Sequence, residues 1–199
     1  MKSAMPCLGV SAKPQAVLHR EAFKEYESLT RDDWAATALE LWRNAEYREE
    51  RYAAIALTGW RAYLSFQDPQ TLPLYEELIV TGAWWDYVDA VAVHRIGPLL
   101  LSHPDSVRPL LVGWSASADR WKRRTAIIAQ VGAREAMDWE LLVTCIDSNI
   151  GDTDFFIRKA IGWSLRQHAR VEPDRVREFV RSNEGRLSGL SRREALKHL

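Results

Sequence analysis

One stretch after another of this chain repeats its apolar residues at helical spacing, and almost none alternates as a strand would. Segments that each bury one stripe at a 3.6-residue period have to pack helix on helix. The spacing predicts eleven helices, over 14–28, 32–44, 47–64, 72–80, 84–101, 105–115, 119–131, 138–147, 154–169, 173–183 and 192–199. The breaks between them are short. Asp68-Pro69, His103-Pro104 and Glu172-Pro173 punctuate the pattern, and Ser191 followed by Glu194 reads as a capping box for the last helix.

So many helices of similar length exceed what a single four-helix core can use, and no Gly/Ser linker separates them. The predicted architecture is therefore all-α, a superhelical array of antiparallel helix pairs of the HEAT-like repeat kind, forming one domain over residues 1–199. Its hydrophobic content of 47% suits a sizeable core. The longest uncharged apolar run, 96–101, is far short of the ~20 residues a membrane helix needs, so no membrane partner is expected. The lead containing Lys2 has no apolar segment of signal-peptide length, which predicts a cytoplasmic protein. Cys7 and Cys145 stand far apart, with no metal-ligand spacing, so neither a disulfide, a metal nor any other cofactor is expected.

Formal net charge is zero, but it is unevenly spread. Residues 1–118 carry 11 basic and 15 acidic side chains, and 119–199 carry 16 and 12. Such a balance allows one basic face on a neutral protein, suited to an anionic partner, although solvated helix surfaces would look the same.

Two charges fall where apolar residues belong. In 81–101, Asp89 shares a stripe with Trp85, Val88, Ala92, Val93 and Ile96. In 119–131, Arg124 shares one with Ile127, Ile128 and Val131, while Lys122 points away. A charge set against an apolar face needs a partner, because stripping its water uncompensated costs several kcal/mol. A structural salt bridge between two helices and a functional pair both satisfy that need. In 154–170, Ile157, Ile161, Ser164, Leu165 and His168 form the inward face, which makes His168 a core histidine. Trp163 points the other way, with Lys159, Arg166 and Arg170 around it. A ring framed by cations can meet a sugar-phosphate chain, or it can pack on a neighbouring hairpin.

The segments WWDYVD (84–89), RWKRRTAIIAQ (120–130), FFIRKAIGWSLRQ (155–167) and LSRREALKHL (190–199) resemble the signature segments of the AlkD family of DNA alkylation repair glycosylases. MPCLGV (5–10) and PLYEELIVTGAWW (73–85) agree with it, in the same order along the chain. The resemblance implies a HEAT-like superhelix holding duplex DNA, and a chain that lacks the family's first N-terminal helix and stops short of its tail. It implies Asp89 as the catalytic carboxylate, Trp85 and Trp163 as aromatics facing the sugar of the lesion, and Arg124 as the associated arginine. Ser11 stands where a relative has glutamine. Backbone contacts are expected from Lys159, Arg166, Arg192, Arg193 and Lys197. The expected substrate is double-stranded DNA with cationic N3- or N7-alkylated purines, cleaved by a monomer without base flipping. A noncatalytic binder of distorted or branched DNA and a protein-binding scaffold are the competing classes.

Overall fold

The computed structural model describes residues 5–199, so the Lys2-containing lead lies outside the described residues. Every regular element among them is helical, and the chain divides between Leu78 and Ile79 into two compact units.

In the first unit, α1 (Ala12–Phe23) is followed by α2 (Arg31–Arg43), which the Thr30 side chain caps by accepting from the Asp33 amide. Trp34, Ala38 and Trp42 recur every four residues on α2 and are buried together. The Trp34 indole N–H donates to the Leu57 carbonyl at 3.1 Å and fastens α2 to α3 (Arg48–Thr58). The continuous helix expected over 47–64 ends instead at Gly59, and Arg61–Phe66 winds as a 3-10 segment. Tyr63 and Phe66 from that segment pack around Trp34, which gives the break a tertiary reason. The boundary falls within α4 (Leu72–Gly82), whose Leu74, Tyr75, Leu78 and Ile79 are all buried.

The second unit holds α5 (Trp85–Val91), α6 (Gly97–Ser102), α7 (Pro104–Ser115), α8 (Arg120–Ile128), α9 (Trp139–Asp147), α10 (Phe155–His168), α11 (Pro173–Ser182) and α12 (Gly189–Ala195). Asp119, Asp138 and Asp154 cap α8, α9 and α10 through their side chains, one residue before each helix begins. The single helix expected over 84–101 is interrupted by a π turn at Ala92–Ile96. Pro98 explains it: proline donates no N–H, and its ring crowds the carbonyl four residues earlier, so a widened turn ahead of it relieves both problems. Gly97 sits where a Cβ would stand 2.3 Å from the Ala129 carbonyl oxygen, which sets how closely this segment meets the end of α8.

The last helix needs a correction. It starts at Gly189 with Ser188 as its cap, three residues before the expected position. Ser191 is fully buried and donates its hydroxyl to the Arg158 carbonyl at 2.9 Å, while Glu194 reaches α10 instead of its own helix start. No helix among the described residues is long and apolar enough to cross a membrane.

Candidate active site

Three helices of the second unit converge on one ion pair. Asp89 on α5 accepts from Arg124 on α8 through both oxygens, Nε to Oδ1 at 2.7 Å and a terminal guanidinium nitrogen to Oδ2 at 2.7 Å. The other terminal nitrogen of Arg124 donates to the Phe156 carbonyl at the start of α10, at 2.6 Å. The Arg124 side chain is 6% exposed and that of Asp89 is 14% exposed, so the pair lies at the rim of the interior with the carboxylate slightly more open. Arg124 spends three of its five donors here.

Burial pushes the Asp89 carboxyl up from its ordinary value, Arg124 pulls it back through its hydrogen bonds and charge, and Asp86 adds a smaller upward push; the net direction is up. Beneath the pair lies an aromatic layer. Phe156 packs on Trp121 with ring centroids 5.1 Å apart and meets Trp84 edge-on at 6.2 Å. Ala83, just before these residues, has φ of 44°, a left-handed backbone that non-glycine residues adopt only at a cost.

Beside the pair opens a cleft of about 270 Å³. Trp85 and Arg124 form one wall, Phe155, Phe156, Lys159, Trp163 and Arg166 of α10 form the other, and Glu194 of α12 completes it. Trp85 is partly exposed at 37% and lies one turn from Asp89 on α5. The four residues singled out by helical phase and by resemblance, Trp85, Asp89, Arg124 and Trp163, are therefore neighbours in one place.

The expected DNA-binding cations are arranged less uniformly. Lys159 and Arg166 line the cleft, and both are paired with Glu194. Arg192 is paired with Glu184 at 2.6 Å, and with Arg193 it lines a separate cleft between α11 and α12, together with Arg177 and Arg181. Lys197 lies past the end of α12 and is exposed. His168 is buried and stacks on Trp139 with centroids 4.8 Å apart, away from this cleft. Glu194 is the residue that sequence reasoning missed. The signal that could have found it is phase: counted from Ser188 as the cap, Ser191 and Ala195 form the buried stripe, and Glu194 lies beside them. Among the described residues, no group of three or more His, Cys, Asp or Glu is placed to hold a metal ion.

The sequence matches the family described as DNA alkylation repair enzyme over residues 1–199. The fold is similar to the solved structure of a predicted DNA alkylation repair enzyme from Enterococcus faecalis, with a TM-score of 0.87 and 27% identity, covering 98% of this chain and 89% of that one. No functionally curated protein matches the sequence.

Proposed function

The chain belongs to the DNA alkylation repair enzyme family, and we propose that it is a DNA N-glycosylase hydrolysing the glycosidic bond of cationic N3- or N7-alkylated purines in duplex DNA. The observation that carries this reading is a buried carboxylate, Asp89, held by two donors of Arg124 one turn from Trp85 and beside a cleft walled by Trp163.

Alkylation at N3 or N7 makes the purine a cation whose bond to C1′ is already weakened. When that bond breaks, its electron pair neutralises the purine, so the leaving group needs no proton. The two carboxylates at the site suit such a substrate, because both are ion-paired and neither is set up as a neutral acid. What the reaction requires is stabilisation of an oxocarbenium-like deoxyribose and a positioned water. Asp89 supplies the negative charge and orients the water. As water adds at C1′ it releases a proton, and a carboxylate whose affinity for protons is raised by burial is a suitable acceptor. Trp85 and Trp163 offer ring faces to the cationic sugar, each worth about 0.5–2 kcal/mol. Arg124 fixes the carboxylate and keeps it charged.

The resemblance to the AlkD family favours a base attacked from its backbone side over one rotated into a pocket. Bulky cationic adducts are then acceptable substrates, and neutral bases such as uracil are not. The test is release of free base from duplex DNA carrying N7-methylguanine or N3-methyladenine, with Asp89→Asn as the comparison. Release that disappears in Asp89→Asn, with DNA binding retained, supports the reading. Efficient release of uracil overturns the mechanism, and duplex binding with no release by either protein would leave a noncatalytic relative.

A further inference from the structure

Lys159, Trp163 and Arg166 occupy positions i, i+4 and i+7 of α10 and so share one face of the helix. A single carboxylate spans that face. Glu194 accepts from the Lys159 ammonium at 2.8 Å through one oxygen and from the Arg166 guanidinium through the other. Its side chain is only 18% exposed, which separates it from the solvated ion pairs elsewhere, such as Arg177 with Asp174.

The backbone is built to bring it there. Gly162 lies next to Trp163, and a Cβ at that position would stand 2.4 Å from the Glu194 Cβ and 2.9 Å from the Ser191 carbonyl oxygen. The missing side chain lets α12 close on α10, and the buried Ser191 hydroxyl locks the approach on the Arg158 carbonyl. Hydrogen bonding from Lys159, with a further bond from Arg166, holds the Glu194 carboxyl below its usual range, so it stays an anion.

Arg124, Lys159, Arg166 and Glu194 line the cleft, with Asp89 against Arg124, and together these groups leave one net positive charge. Without Glu194 there would be two. Extra positive charge strengthens the grip on any phosphate backbone, damaged or not, and repels a cationic purine and the cationic sugar that forms from it.

We propose that Glu194 is a positioning and specificity-determining residue: by clamping Lys159 and Arg166 on either side of Trp163 it restrains their affinity for undamaged backbone and keeps the cleft acceptable to a cationic lesion. The part concerning lesions rests on the glycosylase reading, while the part concerning undamaged DNA does not.

The experiment is the salt dependence of binding to undamaged duplex between 50 and 200 mM, by fluorescence anisotropy, together with base release from N7-methylguanine duplex, for the unsubstituted protein, Glu194→Gln and Glu194→Gln/Lys159→Met. Each cation freed to meet a phosphate steepens the log–log slope by about 0.9, so the affinity lost over that fourfold salt range grows about 3.5-fold per cation. Glu194→Gln is expected to bind undamaged duplex more tightly at 50 mM with a steeper slope, and to lose roughly tenfold in the ratio of kcat/KM for the lesion to affinity for undamaged duplex. Adding Lys159→Met restores the net charge and returns the slope toward its original value. A purely structural role would weaken binding and turnover together and leave the slope alone. That result, or full lesion turnover by folded Glu194→Gln, overturns the proposal. Should Glu194→Gln fail to fold, Lys159→Met alone gives the reading from the opposite side: a clamped lysine makes no phosphate contact, so an unchanged slope supports the proposal and one shallower by about 0.9 overturns it. If the unsubstituted protein releases no base, the glycosylase reading fails, and the binding slopes still judge the clamp.

Discussion

Replacing Arg124 with methionine tests what the ion pair does for the fold and for the chemistry at once. Methionine keeps most of the apolar stem but leaves the Asp89 carboxylate, 14% exposed, without a cation. The two hydrogen bonds to Asp89 at 2.7 Å and the one to the Phe156 carbonyl at 2.6 Å are all lost. Removing one partner of a buried, hydrogen-bonded pair costs about 3–5 kcal/mol. At roughly 2–4 °C per kcal/mol for a chain of this size, Tm falls by about 6–20 °C. The stranded carboxylate can relieve part of the penalty by taking a proton, so the deficit is expected to be smaller at pH 5 than at pH 8. Adding Asp89→Leu removes the stranded charge. Apolar replacement of a whole buried pair is commonly neutral or stabilising, so Asp89→Leu/Arg124→Met should return to within about 1 kcal/mol of the unsubstituted protein, or exceed it, while releasing no base. Urea denaturation of all four proteins of the cycle, followed by tryptophan fluorescence at both pH values, measures the stability side, and base release measures the other. The reasoning fails if Arg124→Met is within 1 kcal/mol of the unsubstituted protein at pH 8, or if the double variant is as unstable as the single one.

Other outcomes follow from particular residues. Because burial raises the Asp89 carboxyl, the acid limb of the kcat profile should lie above the ordinary carboxylate range, with activity lost as pH falls through it; a limb at or below that range would refute the assignment. The same shift makes the native state bind more protons than the unfolded one between the two pKa values, so this group's contribution to stability declines as pH rises through that window. Glu194 has the opposite sign: its contribution is present above the unfolded value and is lost as pH falls through its lowered one. Ala83→Gly removes the strain at φ of 44° and should be neutral or stabilising by up to about 1 kcal/mol in thermal melts, since glycine's greater unfolded-state freedom offsets part of the gain. Gly162→Ala forces a methyl against Glu194 and the Ser191 carbonyl and should cost about 1–3 kcal/mol in urea denaturation, with a loss of base release beyond what the stability change explains.

Much of this site could be read from residue order because burial leaves a mark on helical phase. Asp89 and Arg124 stand out as charges on apolar stripes, and the aspartates at 119, 138 and 154 announce their helices to within one residue. The π turn was hidden because Pro98 lies inside an apolar run that keeps its period across it. The end of α3 at Gly59 was hidden because the 3-10 segment after it carries apolar residues of its own, Tyr63 and Phe66, which bury against Trp34. Glu194 was misplaced for another reason. Three residues after a serine, it satisfies the local rule for a cap, and nothing in linear order reveals that its partners lie 28 and 35 residues away on α10.

The third bond of Arg124 goes to the Phe156 carbonyl, a main-chain oxygen. No substitution at position 156 can delete that acceptor, so the arginine's third bond does not depend on the side chain there, which serves the aromatic layer with Trp121 and Trp84. The constraint is carried instead by whatever fixes where α10 begins, which is the Asp154 cap on the amides of Phe156 and Ile157. Variants at 156 would then act through the aromatic packing, and variants at 154 through the arginine, although Asp154 touches neither Arg124 nor the carboxylate it holds.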